Sequence, residues 1–316
     1  MVHLRIVAPE RRADEAMDRL CATDSVCNVI RLQEPSRRPD GVVIMCDVAR
    51  EDASVVIADL KALDIHHEGS IALEQIDTSI SDVARRAERH AEGAPADAVV
   101  WEQVEAATDE QVELSGVFLL FMVLAGLIAA VGIYQDSAIL IVGAMVVGPE
   151  FGPIAGLCVA LVQRRRELAL RSGVALAVGF PLAIATTFAA TLIFKATGLA
   201  DADFDQPEHA IANVISSPDF FAFFVAACAG AAGMLSLSTS KSGALIGVLI
   251  SVTTIPAAAN IGVTAAYGDW ENFGGSAAQL AVNMASILVA GTVTLAAQRM
   301  LYLRRRRRHE LEAATP

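Results

Sequence analysis

The stretch GAMVVGPEFGPIAG, residues 143–156, places four glycines, two prolines and one carboxylate, that of Glu150, inside a long apolar segment. Proline has no amide hydrogen, so the carbonyl four residues earlier loses its usual helical donor. Pro149 is therefore expected to free the carbonyl of Met145, and Pro153 that of Pro149. Free carbonyls cannot face lipid and must meet another helix, water or a bound ion. The stretch predicts a broken transmembrane helix with a polar centre.

Gly148, Gly152 and Gly156 recur every four residues in this stretch. In a continuous helix they would form a smooth stripe for close packing of a neighbouring helix, and packing alone is one interpretation of them. Glu150 would then project about 200° away from the stripe. An isolated carboxylate in hydrocarbon is costly, so we expect Glu150 to face an aqueous cavity, hold a proton or pair with a cation.

Six apolar segments follow residue 113, each long enough to cross a hydrocarbon core of about 30 Å. Their approximate bounds are 115–134, 138–163, 172–195, 219–237, 242–266 and 274–298. Proline among small residues interrupts the second segment and the fifth. The sequence therefore predicts an α-helical integral membrane protein with a six-helix domain over residues 114–300, in which the second and fifth helices are broken.

The loops between these segments alternate in charge. Basic residues follow the second, fourth and sixth segments, namely Arg164, Arg165, Arg166, Arg171, Lys241, Arg299 and the run Arg304 to Arg308. The other loops carry acidic residues, including Asp136, Asp269 and several within 201–209. Because basic residues stay on the cytoplasmic side, we expect both termini to be cytoplasmic, with residues 301–316 as a basic tail.

The two triplets of segments must run in opposite orientations, which is the arrangement of an inverted repeat in many transporters. Their middle segments, ILIVGAMVVGPEFGPIAGLCVAL and ALIGVLISVTTIPAAANIGVTAA, are both interrupted near the centre. In the second of them Pro256 frees the carbonyl of Val252. The sequence thus favours a 3+3 inverted repeat.

Polar residues accompany the second break. Thr253, Thr254 and Asn260 flank Pro256 and are candidates, with Glu150 and the freed carbonyls of Met145 and Val252, for a solute-binding or ion-binding centre. Each of them alone is more often a hydrogen bond between helices. Gln279 and Asn283 in the last segment are weaker candidates on the same argument.

The first 78 residues show the periodicities of a small soluble domain. Strand patterns near 2–8, 25–33, 41–49 and 69–77 alternate with helical patterns near 11–22 and 50–65. The order β-α-β-β-α-β predicts an α+β ferredoxin-like domain, a fold found in small regulatory modules. Residues 79–113 have charged helical patterns and are predicted to be a connector.

The distribution of charged residues along the chain limits the kinds of molecule that the protein is expected to bind. Residues 1–112 hold 12 of the 24 Lys and Arg but 23 of the 36 Asp and Glu, and so most of the net charge of −12. Such an acidic region argues against nucleic acid, which requires a basic surface. The arginine run 304–308 follows an apolar segment directly, which is typical of a topology anchor.

The five cysteines are odd in number and irregularly spaced, so we expect them to be reduced. A metal site from Cys21, Cys27, Cys46 and either His3 or the pair His66 and His67 is an alternative, but the spacing matches no zinc motif. No metal or cofactor is therefore predicted. Catalytic pairs and phosphate loops are also absent from the sequence, so we do not expect an enzyme.

At AILIVGAMVVGPEFGPIAG, residues 138–156, the chain resembles an uncharacterised hydrophobic domain family of prokaryotic membrane proteins. The family signature corresponds here to Gly143, Ala144, Met145, Pro149, Gly152, Pro153 and Ile154. TTIPAAANIGV, residues 253–263, looks like the second proline-centred segment of the family. The likeness covers most of residues 115–265. It implies several membrane segments and often a soluble cytoplasmic region, and brings no substrate.

Two functions remain open from the sequence. The first is a transporter or channel of the prokaryotic inner membrane, expected to be a homo-oligomer, that moves a small solute or ion past Glu150. The second is a membrane-anchored sensor whose cytoplasmic domain binds a ligand while the helices only anchor or relay. An enzyme embedded in the bilayer ranks last, because the apolar segments contain no histidine.

Overall fold

The computed structural model describes residues 1–91, 98–200, 210–239 and 253–313. The chain divides into two compact units. The first consists of Met1–Val104, Ser238–Ser240 and Leu301–Pro316, and the second of Glu105–Leu237 and Lys241–Met300.

The first unit contains a small antiparallel sheet, as the sequence predicts. Its strands are β1 (Val2–Ala8), β2 (Val26–Arg31), β3 (Ser36–Arg37), β4 (Asp40–Val48) and β5 (Ser70–Gln75). The strand order is β2-β4-β1-β5, every neighbouring pair is antiparallel, and β3 forms a short hairpin with β4. Helix α1 (Glu10–Ala22) follows β1, while α2 (Ala53–Ala62) and the short α3 (Ile65–Glu68) follow β4.

Every second side chain along the two central strands is buried, and these side chains form the core on one face of the sheet. Val2, Leu4, Ile6 and Ala8 of β1 are buried, as are Val42, Ile44, Cys46 and Val48 of β4. Alternate side chains of a strand point to one face, and here that face packs against the apolar sides of α1 and α2. On the other face, Cys27 of β2 contacts Ala84 and Ala87 of α4 (Asp82–His90).

The second unit is built of apolar helices. They are α6 (Gly116–Tyr134), α7 (Ala138–Val147), α8 (Phe151–Gln163), α9 (Arg166–Thr197), α10 (Ala210–Ser216), α11 (Phe220–Ser238), α12 (Thr254–Tyr267) and α13 (Trp270–Ala313). Helix α5 (Trp101–Gln111) leads into them. Helix α13 continues to Ala313, so the predicted basic tail is helical over most of its length.

Four of the described helices are long and apolar enough to cross a membrane: α6, α9, α11 and α13. Helices α7 and α8 pass the same test together and are bent by 51° at their junction, which gives up to five spans. They correspond to the predicted first, third, fourth, sixth and second segments. The predicted fifth segment, 242–266, lies partly outside the described residues, and α12 is its described portion.

Many interior positions of this unit hold small residues, and many of its large apolar side chains are exposed. In α6 the buried positions include Ala125, Ala129 and Ala130, while Val117, Leu120, Phe121 and Leu124 are exposed. Apolar residues on every side with small ones at helix contacts are typical of membrane helices. Helix α12 is the most enclosed, since every residue from Thr254 to Thr264 is buried.

Candidate functional site

The predicted break in the second apolar segment lies at residues 148–150. Helix α7 ends at Val147, α8 begins at Phe151, and the amide of Gly148 donates to the carbonyl of Ala144 at 3.0 Å. Pro149 has no amide to donate to Met145, which is the physical reason that the helix stops here. The carbonyl of Pro149, expected to be free, instead accepts from the Gly152 amide at 3.4 Å.

Pro153 does not break α8, which corrects the sequence interpretation, and Pro256 lies near the start of α12, where the described residues resume at Thr253. Pro153 is the third residue of α8, and Pro256 is the third residue of α12. The first four amides of a helix have no intrahelical acceptor, so a proline there removes no hydrogen bond. Both prolines therefore mark helix starts. The carbonyl of Val252, predicted to be freed by Pro256, lies outside the described residues.

Glu150 is buried at the start of α8, with 4% of its surface exposed. Its Oε1 accepts a hydrogen bond of 2.7 Å from Oγ1 of the buried Thr254. A Cβ atom added to Gly148 would overlap Oε2 of Glu150 and lie 2.7 Å from Cγ1 of Ile255. The expected projection away from Gly148 assumed a continuous helix. Because the backbone leaves the helix at Gly148, the carboxylate lies against that glycine instead.

The Glu150–Thr254 hydrogen bond joins the N-terminal ends of two helices. Glu150 immediately precedes α8, and Thr254 is the first residue of α12. Each helix N-terminus carries roughly half a positive charge from its unpaired amides. The two ends therefore stabilise a carboxylate between them, and Thr254 adds a direct donor.

A second group of polar contacts extends from Thr253, the neighbour of Thr254. Asn283 Nδ2 donates to Thr253 Oγ1 at 2.8 Å, and Gln279 Nε2 donates to Asn283 Oδ1 at 3.3 Å. Both amides are at least 97% buried and belong to α13. They were the weaker candidates from the sequence. The signal that favours them is their spacing of four residues, which puts them on one face of a helix.

Asn260 lies in the same unit but does not contact Glu150. Its Nδ2 donates to Ser276 Oγ at 2.8 Å, and its carbonyl accepts from Thr264 Oγ1 at 2.7 Å. Asn260 therefore links α12 to α13, which is the helix-to-helix role that the sequence left open for it. The structure brings Glu150, Thr253 and Thr254 together and leaves Asn260 on a later turn.

Three buried oxygens of this region receive no hydrogen bond from any described residue. They are Oε2 of Glu150, Oε1 of Gln279 and Oδ1 of Asn260. Buried polar atoms are normally paired, so each is an exception that invites a chemical explanation. All three are acceptors, and what they lack is a donor or a positive charge.

Gly152 and Gly156 serve packing. A Cβ on Gly152 would lie 2.9 Å from the carbonyl oxygen of Gln111, and one on Gly156 would overlap Val112 and Ser172. These two glycines therefore let α8 approach the end of α5 and the first turns of α9. The three glycines of the predicted stripe thus have two roles. Gly152 and Gly156 allow helices to pack closely, whereas Gly148 leaves space for the carboxylate of Glu150.

Two cavities adjoin the helix starts. The first, here called the α11 cavity, has a volume of about 440 Å³, and its polar lining includes Asn213, Ser217, Asp219, Thr253, Gln279 and Asn283. The second, the α6 cavity, has a volume of about 360 Å³ and is lined in part by Glu110, Gln111, Glu113, Ser115, Gly148 and Pro149.

The alternative metal site is not assembled in the described part of the chain. No group of three or more His, Cys, Asp or Glu side chains there is arranged to hold a metal ion. Cys46 is buried under the helices, Cys27 packs on the opposite face against α4, and His3 Nδ1 lies 2.7 Å from Asp47 Oδ1. All five cysteines are free thiols.

Residues 145–289 match the model of a family described as a domain of unknown function, DUF389. The family resemblance inferred from the sequence is confirmed. The DUF389 match begins and ends later than the expected likeness, so that it takes in α13 through Val289. Glu150, Thr253, Thr254, Gln279 and Asn283 all lie within it.

An uncharacterized protein of the archaeon Methanocaldococcus jannaschii is 27% identical over 185 residues. The alignment covers 57% of this chain and 53% of the relative, so the chain spans about half the length of the curated relative that it matches. No solved structure gives a significant match. The similarity to DUF389 therefore indicates the family to which the apolar helices are related. It says nothing about activity, which has to be inferred from the site.

Proposed function

We propose that this protein is a transporter or channel for a small solute or ion, with its site where α8 and α12 begin. The observation that carries the proposal is the buried carboxylate of Glu150, which has one oxygen bound to Thr254 and the other without a donor among the described residues. A carboxylate among apolar helices is expensive, and such residues usually belong to a pathway for protons, ions or substrates.

The helix arrangement supports the same proposal. Transporters often bind their substrates where discontinuous helices present their ends near the middle of the bilayer. Here α8 follows the break at Pro149, and α12 begins beside it with a proline at the equivalent third position. That equivalence favours a 3+3 inverted repeat of six helices.

The remaining parts of the proposal follow from charge and topology. The protein would lie in the inner membrane of a prokaryote with six crossings and both termini in the cytoplasm, as the basic loops favour. The N-terminal sheet, whose strand order fits a ferredoxin-like fold, would be a regulatory domain without catalytic activity. We expect a homo-oligomer that needs no nucleic acid or cofactor.

The test is flux into liposomes that contain the purified full chain. Wild type would be compared with Glu150→Gln, which keeps the shape of the side chain and removes its charge. Glu167→Gln is the matched control, because Glu167 is exposed in the first turn of α9. We expect uptake of protons, common cations or small solutes by wild type and the control, with a clear loss in Glu150→Gln.

Two results would contradict the proposal in different ways. Equal flux through wild type and Glu150→Gln would leave transport standing and remove Glu150 from it. No flux of any probe through folded, correctly oriented protein would exclude transport of the solutes tested and favour the sensor function. A ligand screen on the full chain would then be the next experiment.

A further inference from the structure

Each cavity is lined by residues next in sequence to the Glu150–Thr254 contact, although neither Glu150 nor Thr254 lines a cavity itself. The α6 cavity is lined by Gly148 and Pro149, and the unpaired Oε2 of Glu150 lies directly against Gly148. The α11 cavity is lined by Thr253, which adjoins Thr254, and by Gln279, whose Oε1 is also unpaired. One unpaired acceptor, Oε1 of Gln279, therefore belongs to the lining of the α11 cavity, and another, Oε2 of Glu150, lies beside a glycine that lines the α6 cavity.

The cavities occupy equivalent places in the two triplets of helices. The α6 cavity lies where the first helix of the first triplet begins, beside the start of α8. The α11 cavity lies where the first helix of the second triplet begins, beside the start of α12. In the proposed topology α6 starts at the cytoplasmic face and α11 at the outer face. Equivalent cavities would then open to opposite sides of the membrane.

The charged side chains that line the cavities are acidic in the described part of each lining. Glu110 and Glu113 line the α6 cavity and Asp219 lines the α11 cavity, without a lysine or arginine beside them. Asp219 also accepts from the Ala222 amide at 2.8 Å. Acidic rings and carbonyl-type oxygens are the groups with which channels select cations.

The helix ends set how strongly a cation is held at Glu150. Two N-termini, each with about half a positive charge, partly offset the charge of the carboxylate. They weaken its attraction for a cation without removing it. A bound ion can then leave as well as enter, which conduction requires.

We infer that the permeant species is a small cation, which moves between the α6 cavity and the α11 cavity through the Glu150–Thr254 contact. This inference rests on the proposed function and adds the substrate class and the route. The cation supplies the charge or donors that the unpaired oxygens of Glu150 and Gln279 lack. The contact between Glu150 and Thr254 closes the route when no ion occupies it.

The first arm of the test compares permeants. Liposomes with the full chain would be given gradients of H⁺, Na⁺ or K⁺, and in parallel of chloride or the neutral solute urea. We expect cation flux without chloride or urea flux. Flux of chloride or urea without cation flux would overturn this inference and preserve transport. If no probe crosses, the proposed function fails together with the inference.

The second arm tests the route by cysteine labelling. Glu113→Cys in the α6 cavity and Ser217→Cys in the α11 cavity would be made with Cys21→Ser and Cys228→Ser, which remove the exposed thiols. A positively charged, membrane-impermeant thiosulfonate should react with the first only from the cytoplasmic side and with the second only from outside. Each label should abolish cation flux.

Glu167→Cys is the control for that arm, because it is exposed and lines neither cavity. Its labelling should leave the flux unchanged. Persistent cation flux after labelling both cavities would mean that the ion takes another route. Reaction of both positions from the same side would likewise overturn the inferred route.

Discussion

Oγ1 of Thr254 donates a hydrogen bond of 2.7 Å to Oε1 of Glu150, although the two residues are 104 positions apart. The bond joins the starts of α8 and α12, and both side chains are buried. It gives the buried carboxylate one direct donor and leaves its second oxygen facing Gly148.

Thr254→Val should destabilise the protein by about 1–3 kcal/mol, because it removes the donor to a buried carboxylate while keeping the side-chain shape. Thr254→Ser retains the hydroxyl and should recover most of that loss. Chemical unfolding of the full chain in detergent measures both. If the valine variant were as stable as wild type, the hydrogen bond would contribute nothing to the fold.

Gly148→Ala should reduce transport as strongly as Glu150→Gln, because the new methyl group would displace the carboxylate and press on Ile255. Overpacking of this kind usually costs about 1–3 kcal/mol. Gly143→Ala is the matched control, since no atom lies within 4 Å of a Cβ at Gly143. Flux and unfolding measurements on both variants would check this. If the two variants had equal flux and equal stability, the absence of a side chain at Gly148 would not be needed to accommodate Glu150.

Cys46 should resist alkylation in the folded protein, whereas Cys21 should react. Cys46 is buried in the sheet core, and burial raises the pKa of its thiol to about 12. The reactive thiolate is therefore scarce at neutral pH. Cys21 is exposed at the end of α1. Peptide mass spectrometry after iodoacetamide treatment, with and without urea, measures both. Rapid native labelling of Cys46 would mean that this core opens readily.

The stability of the N-terminal unit should fall as pH rises above the ordinary pKa of glutamate, about 4.3. Burial raises the pKa of Glu51, whose carboxylate oxygens receive no hydrogen bond from the described residues. The folded chain then keeps a proton that the unfolded chain loses. The stability contributed by protonated Glu51 is complete below the unfolded pKa and is lost as pH passes through the raised folded pKa.

Glu51→Gln should weaken this pH dependence and stabilise the unit at neutral pH. Fluorescence of the buried Trp101 reports on this unit, provided that Trp270→Phe removes the other tryptophan. Thermal unfolding of the full chain between pH 4 and pH 8 gives the comparison. An unchanged pH profile in the glutamine variant would assign the dependence to another group.

The local features of this protein were decided by its sequence. Pro149 stops a helix because it lacks an amide, wherever the rest of the chain lies. Alternation in Val2–Ala8 and Asp40–Val48 specifies strands with one buried face, since successive side chains of a strand point to opposite sides. The apolar lengths of the long helices likewise follow from composition.

Which distant groups meet was decided only by the tertiary structure. The sequence singled out Glu150 and Thr254 but not their hydrogen bond. It ranked Gln279 and Asn283 low, although they form a hydrogen-bonded chain to Thr253 and line the α11 cavity with it. Projection of Glu150 away from Gly148 was wrong because it extended helical geometry through a break. Local chemistry fixes where a helix stops, whereas the packing of helices far apart in the chain fixes what its end contacts.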